Sequence, residues 1–428
     1  MTKTLDVYMH DHLVGTLIQD NGGQMMFTYL DTWLKDQLAR PLSHSLPLRP
    51  ETFSQKECQG FFGGLLPEEK NRDLIARNLG ISKENDFSML NEIGGECAGA
   101  VSFMPHGILL PQENLQSRFL SESDLARILR ELPQRPLMAG EAGVRLSLAG
   151  AQNKLPVRID GDSISLPLGN APSTHIIKPA IPDYEGIIYN ESLCMKLAKA
   201  IGLSVANMSI GKAEDIEYLV IERYDRKSTI ITYFSLSKMI NEEKKLRLHQ
   251  EDFCQALGIS SKNKYQIENG PSIKDCIALI RDIVPISASE LQKLIDAIIF
   301  NFLIGNNDAH GKNFSLVYNQ RLQEFTEKNV YLAPLYDLIC TIYYPNLAKT
   351  MAMKIGDQYD SNLVSTKDFE KMAEECGLSK PLVKKRVVEV AKKILAALEN
   401  RIVEHPIADK VTDVIRARCK DTIESFHA

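Results

Sequence analysis

The feature that most restricts this chain is a crowded polar loop set inside one of its most apolar stretches. Ile298, Ile299, Phe302, Leu303 and Ile304 read as the end of a buried helix, and Phe314 resumes the apolar pattern. Between them stand Asn306, Asn307, Asp308, His310, Lys312 and Asn313. A core segment does not carry so many polar groups, because each needs its own partner once out of water. A carboxylate followed five residues later by an asparagine (Asp308, Asn313) is the spacing of a phosphotransferase loop. There the carboxylate orients the attacking hydroxyl, and the amide oxygen is a neutral ligand for magnesium on the phosphates. Taken alone, an Asn/Asp-rich turn capping a helix gives the same pattern.

The surroundings of the loop set its context. Residues 5–10, 13–19 and 24–29 alternate as strands, with turns at Asp11-His12 and Asn21-Gly22-Gly23, and predict a small antiparallel meander. Residues 30–93 turn to helical periodicity, with Phe61, Phe62, Leu65 and Leu66 before Pro67 and Leu74, Ile75 and Leu79 before Gly80. This gives an α+β subdomain over 1–108, with a boundary near 105–111. A strand-rich region follows over 109–245: a capped helix at 123–132, strands at 144–148, 154–158, 163–166, 175–178, 205–212 and 218–222, and a helix at 190–201 closed by Gly202. Over 246–428 the pattern is helical, at 251–257, 273–284, 289–304, 366–376, 381–400 and 407–426. Only the polar loop, a short strand pair (314–318 with 330–332) and an irregular stretch at 334–356 interrupt it. The expected fold is α+β and bilobal, protein-kinase-like, with a strand-rich N-terminal part that includes the extra subdomain and an all-helical C-terminal lobe. Ligands favour the cleft between such units.

Composition excludes several alternatives. The 428 residues suffice for two or three domains with full-sized cores. A net charge of -5 gives no general attraction to nucleic acid or acidic membranes. No apolar run is long enough to span a bilayer, and the first residues lack a signal core. The eight cysteines are scattered without a CxxC pair, so reduced thiols in a cytoplasmic protein are expected and a zinc site is not.

Other candidates bear on the same chemistry. Asp337 is a lone carboxylate inside the apolar run 332–339, where a metal ion would be its strongest partner, although a turn-capping aspartate also fits. Lys178 ends an apolar strand, and Glu191 opens the helix that follows; such a pair orients ATP in phosphotransferases, while a solvent-facing lysine fits the strand equally well. The small residues around Gly150, Ala151 and Gln152, before Lys154, let backbone amides approach an anion, as an ordinary hairpin turn would too. Val220–Arg226 ends an apolar strand in mixed charge, either as an adenine-facing hinge or as a solvated linker. The order of turn, lysine, glutamate, hinge, Asp/Asn loop and metal aspartate follows the protein-kinase scheme.

Seven ordered motifs make the chain resemble the HipA family along nearly its whole length. They are Ser147-Leu148-Ala149-Gly150-Ala151-Gln152-Asn153-Lys154, Thr174-His175-Ile176-Ile177-Lys178, Glu222-Arg223-Tyr224-Asp225-Arg226, His249-Gln250-Glu251-Asp252-Phe253-Cys254-Gln255, Asn307-Asp308-Ala309-His310-Gly311-Lys312-Asn313-Phe314-Ser315, Tyr336-Asp337-Leu338 and Met351-Ala352-Met353-Lys354-Ile355-Gly356. That family consists of bacterial serine/threonine kinases acting as toxins of type II toxin–antitoxin modules. The resemblance implies ATP and Mg2+ as cofactors, Asp308 as catalytic base, and Asn313 and Asp337 as magnesium ligands. It implies Lys178 on the ATP phosphates, steadied by Glu191, an adenine hinge at the backbone of Glu222 and Tyr224, and Gln250 and His310 as neighbours of the nucleotide. Ser147 matches the serine that family members autophosphorylate, which expels the phosphate-binding loop and silences the kinase. The implied partners are a HipB-like helix-turn-helix antitoxin, operator DNA reached only through it, and a protein substrate, the family example being a glutamyl-tRNA synthetase whose modification brings growth arrest and persistence.

Two departures from the family pattern stand out: Cys340 where serine is common, and Asn269-Gly270-Pro271 where Gly-Gly-Pro is common. The basic residues between 380 and 420 fit either a solvated helix face or a weak surface for DNA or antitoxin. A small-molecule kinase of the aminoglycoside-phosphotransferase type would share the Asp/Asn/Asp layout. A catalytically silent corepressor on DNA is the non-enzymatic rival.

Overall fold

The computed structural model describes residues 2–110, 116–235, 238–284, 287–319 and 330–427. The expected boundary near 105–111 therefore reaches partly outside the described residues.

The N-terminal meander forms as expected and gains a fourth strand. Its antiparallel order is Met25–Tyr29, His12–Gln19, Lys3–Met9, Val101–Pro105, so the chain returns to the first strand after the helical segment. The helix Gln55–Gly64 packs on this sheet through Phe62, whose ring meets Phe27 at 5.4 Å. Helices Glu69–Leu79 and Asp86–Ile93 complete the unit. Its apolar core continues into Leu155, Val157, Leu166 and Ile177 of the next sheet, so the two units share one buried cluster.

That next sheet has six antiparallel strands in the order Ser117–Phe119, Ser163–Pro167, Leu155–Asp160, His175–Pro179, Ile216–Glu222, Met208–Ala213. The helix Ile187–Ala200 starts three residues before the expected 190, immediately after the left-handed Gly186. Two strand expectations need correction. Residues 144–148 are not a strand of the sheet; the segment makes a single parallel bridge, Leu146 to Glu96 of the N-terminal unit. The strand expected at 205–212 begins only at Met208, because Val205 leaves the sheet to bridge Leu335. A long hairpin, Arg226–Ser235 with Lys238–Arg247, was not anticipated; its second half is too charged to show an apolar alternation.

The C-terminal lobe is built on Ile273–Ile283, Ser287–Ile304, Thr366–Glu375, Lys380–Ala397 and Pro406–His427. Residues 294–304 are buried throughout, which explains why the stretch is apolar apart from Asp296, paired with Arg386, and Asn301, bonded to Ala297 O and Asn306. The lobe also holds two small sheets: His249–Asp252, Ser315–Tyr318 and Val330–Leu332, and Thr350–Ile355 with Gln358–Asp360. The helix expected at 251–257 is thereby corrected. Glu251 and Asp252 pair with Leu316 and Ser315, and only one turn, Phe253–Ala256, follows under an Asp252–Gln255 capping box.

Among the basic residues of 380–420, Lys380, Lys385, Arg386, Arg401 and Arg416 pair with carboxylates, and Arg418 donates to backbone carbonyls. All eight cysteines are free and buried. Among the described residues, no helix is long and apolar enough to cross a membrane.

Glu251 joins the N-terminal unit to the C-terminal lobe, accepting from Ser43 Oγ at 2.5 Å and His44 N at 3.0 Å, and from the Tyr318 hydroxyl. Burial pushes its carboxyl up to about 7, against the lowering effect of those bonds. A carboxyl raised on folding contributes stability that is present below its unfolded pKa and lost as pH climbs through the folded value. Wild-type protein should therefore lose on the order of 3 kcal/mol, relative to Glu251→Gln, between pH 4.5 and pH 8. Urea denaturation of both proteins across that range checks it; parallel curves would refute it.

Candidate active site

Lys178 sits on the strand His175–Pro179 and is only 4% exposed. Its ammonium is shared by two carboxylates: Glu191 Oε1 at 2.7 Å, on the facing helix, and Asp337 Oδ1. Burial alone would lower the lysine, but Asp337 and Glu191 outweigh it and the net shift is upward. For Asp337, burial is overcome by Lys178 and Lys154, which bring the carboxyl down to about 2. Glu191 is pushed the other way by its burial. Glu191 and Asp337 thus share Lys178, and Lys154 is a second positive charge that bears on both acids.

Asp337 has φ +53°, a left-handed conformation that few residues other than glycine adopt. Such strain persists where the surroundings enforce it. Here Asn306 Nδ2 holds the Asp337 carbonyl at 3.2 Å, and Asn313 Nδ2 reaches Oδ2 at 3.4 Å. The segment after it is clamped to the Lys178-facing helix: Asn190, fully buried, donates to Cys340 O at 3.0 Å and accepts from Cys340 N at 2.9 Å. Asn190→Leu would strand two buried backbone groups, so it should cost about 2 kcal/mol or more in urea denaturation. A loss under about 0.5 kcal/mol would show that the clamp does not matter.

Most polar groups of the loop at 306–313 have structural partners. Asn306 bonds Asn301 Oδ1 at 2.7 Å, Asn307 N bonds Thr341 Oγ1 at 2.8 Å, and Asn313 Oδ1 accepts from His310 N at 3.1 Å. Lys312 is buried on Asp252 at 2.6 Å. Asp308 differs: it is exposed, and its Oδ1 accepts from the Tyr265 hydroxyl at 2.9 Å. His310 is buried beside it, edge-on to Tyr265 with ring centroids 5.5 Å apart, and its Nδ1 has no hydrogen-bond partner among the described residues.

The turn at 146–154 approaches the same cluster. Gly150 has φ +105°, a backbone conformation that side chains rarely adopt, so this position needs glycine, and Lys154 Nζ lies close enough to touch a Cβ there. Lys154 donates to Ala149 O at 2.5 Å, and burial lowers it to about 8. Ser147 is fully buried; its N donates to Glu96 O and its Oγ to Leu65 O, both at 2.9 Å. Across the cleft, Tyr224 stacks on Tyr336 at 5.7 Å and donates to Gln250 Oε1. The Glu222 side chain turns aside to Asn207, which also takes its N–H at 2.9 Å.

The structure thus brings Lys178, Glu191, Asn313 and Asp337 into one cluster, with Lys154 among the charges that bear on it and Asp308 on the adjoining loop. Tyr265 was not foreseen: no spacing rule links it to a carboxylate 43 residues away. Nor were Glu68 and Asn71, which bond the carbonyls of Gly150 and Ala151, or Lys264, which pairs with Glu68; their sequence context is that of ordinary surface residues.

Residues 5–104 match the HipA N-terminal domain, and residues 146–398 match the HipA-like C-terminal domain. The chain is 43% identical to Y4mE of Sinorhizobium fredii, over 91% of its own length and 89% of that protein. It is 31% identical to the serine/threonine-protein kinase toxin HipA of Shewanella oneidensis, over 96% of its own length and 92% of that protein. A solved structure of Shewanella oneidensis HipA with HipB and its operator DNA superposes with a TM-score of 0.83 at 28% identity, covering 99% of this chain and 98% of that one. The chain belongs to the HipA family, whose Shewanella member is named a serine/threonine-protein kinase toxin.

Proposed function

We propose that the chain is a Mg-ATP-dependent protein serine/threonine kinase of the toxin type. The observation that carries this reading is Lys178 held between Glu191 and Asp337, with Asn313 3.4 Å from the same aspartate. A carboxylate and an amide are hard donors that suit magnesium shared with phosphates. Asn313 and Asp337 would hold it, and when bound it neutralises charge on the transferring phosphoryl group.

The remaining roles belong to the chain itself. Lys178, aimed by Glu191, binds the ATP phosphates; Lys154 and the amides at Gly150, Ala151 and Gln152 close over them. The adenine lies against the Glu222 carbonyl and the Tyr224 N–H, with Gln250 and His310 bordering the nucleotide. Asp308 takes the acceptor hydroxyl on its carboxylate and receives its proton as oxygen attacks the γ-phosphorus and ADP leaves in line.

Ser147 is the proposed autophosphorylation site. Its hydroxyl lies buried on Leu65 O, so the loop must leave that seat before transfer. Phosphorylation removes the hydrogen that Ser147 Oγ donates to Leu65 O and adds about -1.5 to -2 charge in a seat shut off from water. The modified loop could not return, and the nucleotide would lose its cradle. The Shewanella complex of HipA, HipB and operator DNA supports a HipB-like antitoxin as partner; in this reading operator DNA is reached only through that antitoxin. The protein substrate, an aminoacyl-tRNA synthetase in the family example, and the resulting growth arrest complete the proposal. Incubation of the purified chain with magnesium and γ-labelled ATP tests it. Label on the Ser147 peptide supports the kinase; label only on an added aminoglycoside, or none, overturns it.

A further inference from the structure

The phosphate-binding turn makes most of its bonds with the N-terminal unit. Besides the two bonds from Ser147, Glu68 N donates to Gly150 O at 3.3 Å and Asn71 Nδ2 to Ala151 O at 2.8 Å. Parallel bridges link Pro67 to Gly150 and Glu96 to Leu146. From its own lobe, the turn receives Lys154 on Ala149 O.

The same short segment also reaches the C-terminal lobe. Lys312, on the loop of Asp308, donates to Gly64 O at 3.1 Å. Glu68 pairs with Lys264 at 2.9 Å and lies 3.7 Å from Lys312 through Oε1, a buried oxygen without a hydrogen bond among the described residues. Lys264 precedes Tyr265, the residue on Asp308. Glu69 is held at φ +50°, a strained conformation for a residue with a side chain.

We infer that residues 64–71 are a strap that holds the phosphate-binding turn shut and ties it to the catalytic loop, with Asn71 and Glu68 acting as positioning residues for the nucleotide. The inference rests on the ATP reading above. Its physical basis is the planar trans peptide, in which a carbonyl and the next N–H point in opposite directions. With the carbonyls of Gly150 and Ala151 both drawn to the strap, the N–H groups of Ala151 and Gln152 face away from it together. Consecutive N–H groups on one side form an anion cradle. An untethered turn would have to order those two peptides when the nucleotide arrives, and would bind it more weakly for that reason.

The test uses the full chain and two variants, Asn71→Ala and the isosteric Asn71→Asp, whose carboxylate cannot donate to Ala151 O. One lost hydrogen bond predicts about fivefold weaker binding of magnesium with a non-hydrolysable ATP analogue in the alanine variant. The aspartate should weaken it further, and kcat at saturating ATP should stay within about twofold of wild type, because the defect lies in ordering the turn. Hydrogen exchange without nucleotide should quicken at 147–153 in both variants and remain unchanged in the helix 187–200. A residue that merely supports the fold would not separate KM from kcat in this way. Unchanged exchange at 147–153 together with unchanged nucleotide affinity, in either variant that folds, overturns the strap and leaves the kinase reading standing. Wild-type protein that binds no nucleotide overturns both.

Discussion

Asp308→Asn should lower phosphoryl transfer by about 10²–10⁴-fold while leaving nucleotide binding within about twofold of wild type. The split follows from where Asp308 lies. Lys178, Glu191, Asn313 and Asp337 hold one another through bonds that do not pass through its carboxylate. Asp308 stands on the exposed lip of the loop, with Oδ1 on the Tyr265 hydroxyl. Asparagine keeps the size and can still accept that bond, so the fold should be untouched; it cannot take the acceptor's proton. Single-turnover transfer from γ-labelled ATP gives the rate, and calorimetric titration with a magnesium–nucleotide analogue gives the affinity. A variant that transfers at more than about a tenth of the wild-type rate would remove Asp308 from the role of base. One that loses nucleotide binding instead would make it part of the ATP site.

The candidate cluster was legible in the sequence where a residue contradicts its local pattern. A lysine near the end of an apolar strand and a carboxylate inside the apolar run 332–339 are each costly if buried alone, and Lys178 and Asp337 prove to compensate one another, with Glu191 as the lysine's second acid. Where the pattern is locally ordinary, the sequence was silent or misleading. Residues 144–148 alternate like a strand, but their partner is a single residue of a distant unit, and alternation does not name a partner. Glu251 and Asp252 sit in a helical-looking stretch, yet the ladder with Leu316 and Ser315 takes them into a strand. Tyr265 and the strap at 64–71 matter only through contacts made by folding, which no spacing encodes.

The largest effect on stability should come from Glu96, which is fully buried where the N-terminal unit meets the hinge strand. Its Oε1 accepts from Arg223 at 2.9 Å and Arg226 at 2.8 Å, and its Oε2 lies 2.6 Å from Arg247. Ser173 adds its N–H at 3.0 Å and its hydroxyl at 2.9 Å. Asp225 is the second acid, bonded to Arg223 at 2.7 Å, to Arg226 at 2.9 Å and to Gly99 N at 2.7 Å. Three guanidiniums and two carboxylates leave one excess positive charge; without Glu96 the excess is two, among side chains no more than 12% exposed. Removing one partner of a buried ionic network typically costs about 3–5 kcal/mol, because the charges left behind stay buried. Glu96→Leu should cost at least that in urea denaturation, and Glu96→Gln less, since the amide oxygen can still accept from Ser173. Arg223 lies between Glu222 and Tyr224, so the leucine variant should also loosen the hinge and raise KM for ATP. The decisive comparison is Glu96→Leu combined with Arg226→Leu, which restores the original charge balance. If unbalanced charge is what destabilises the single variant, the double variant must be more stable than the sum of the two single losses allows; strict additivity would mean that Glu96 acts through packing and not through its charge.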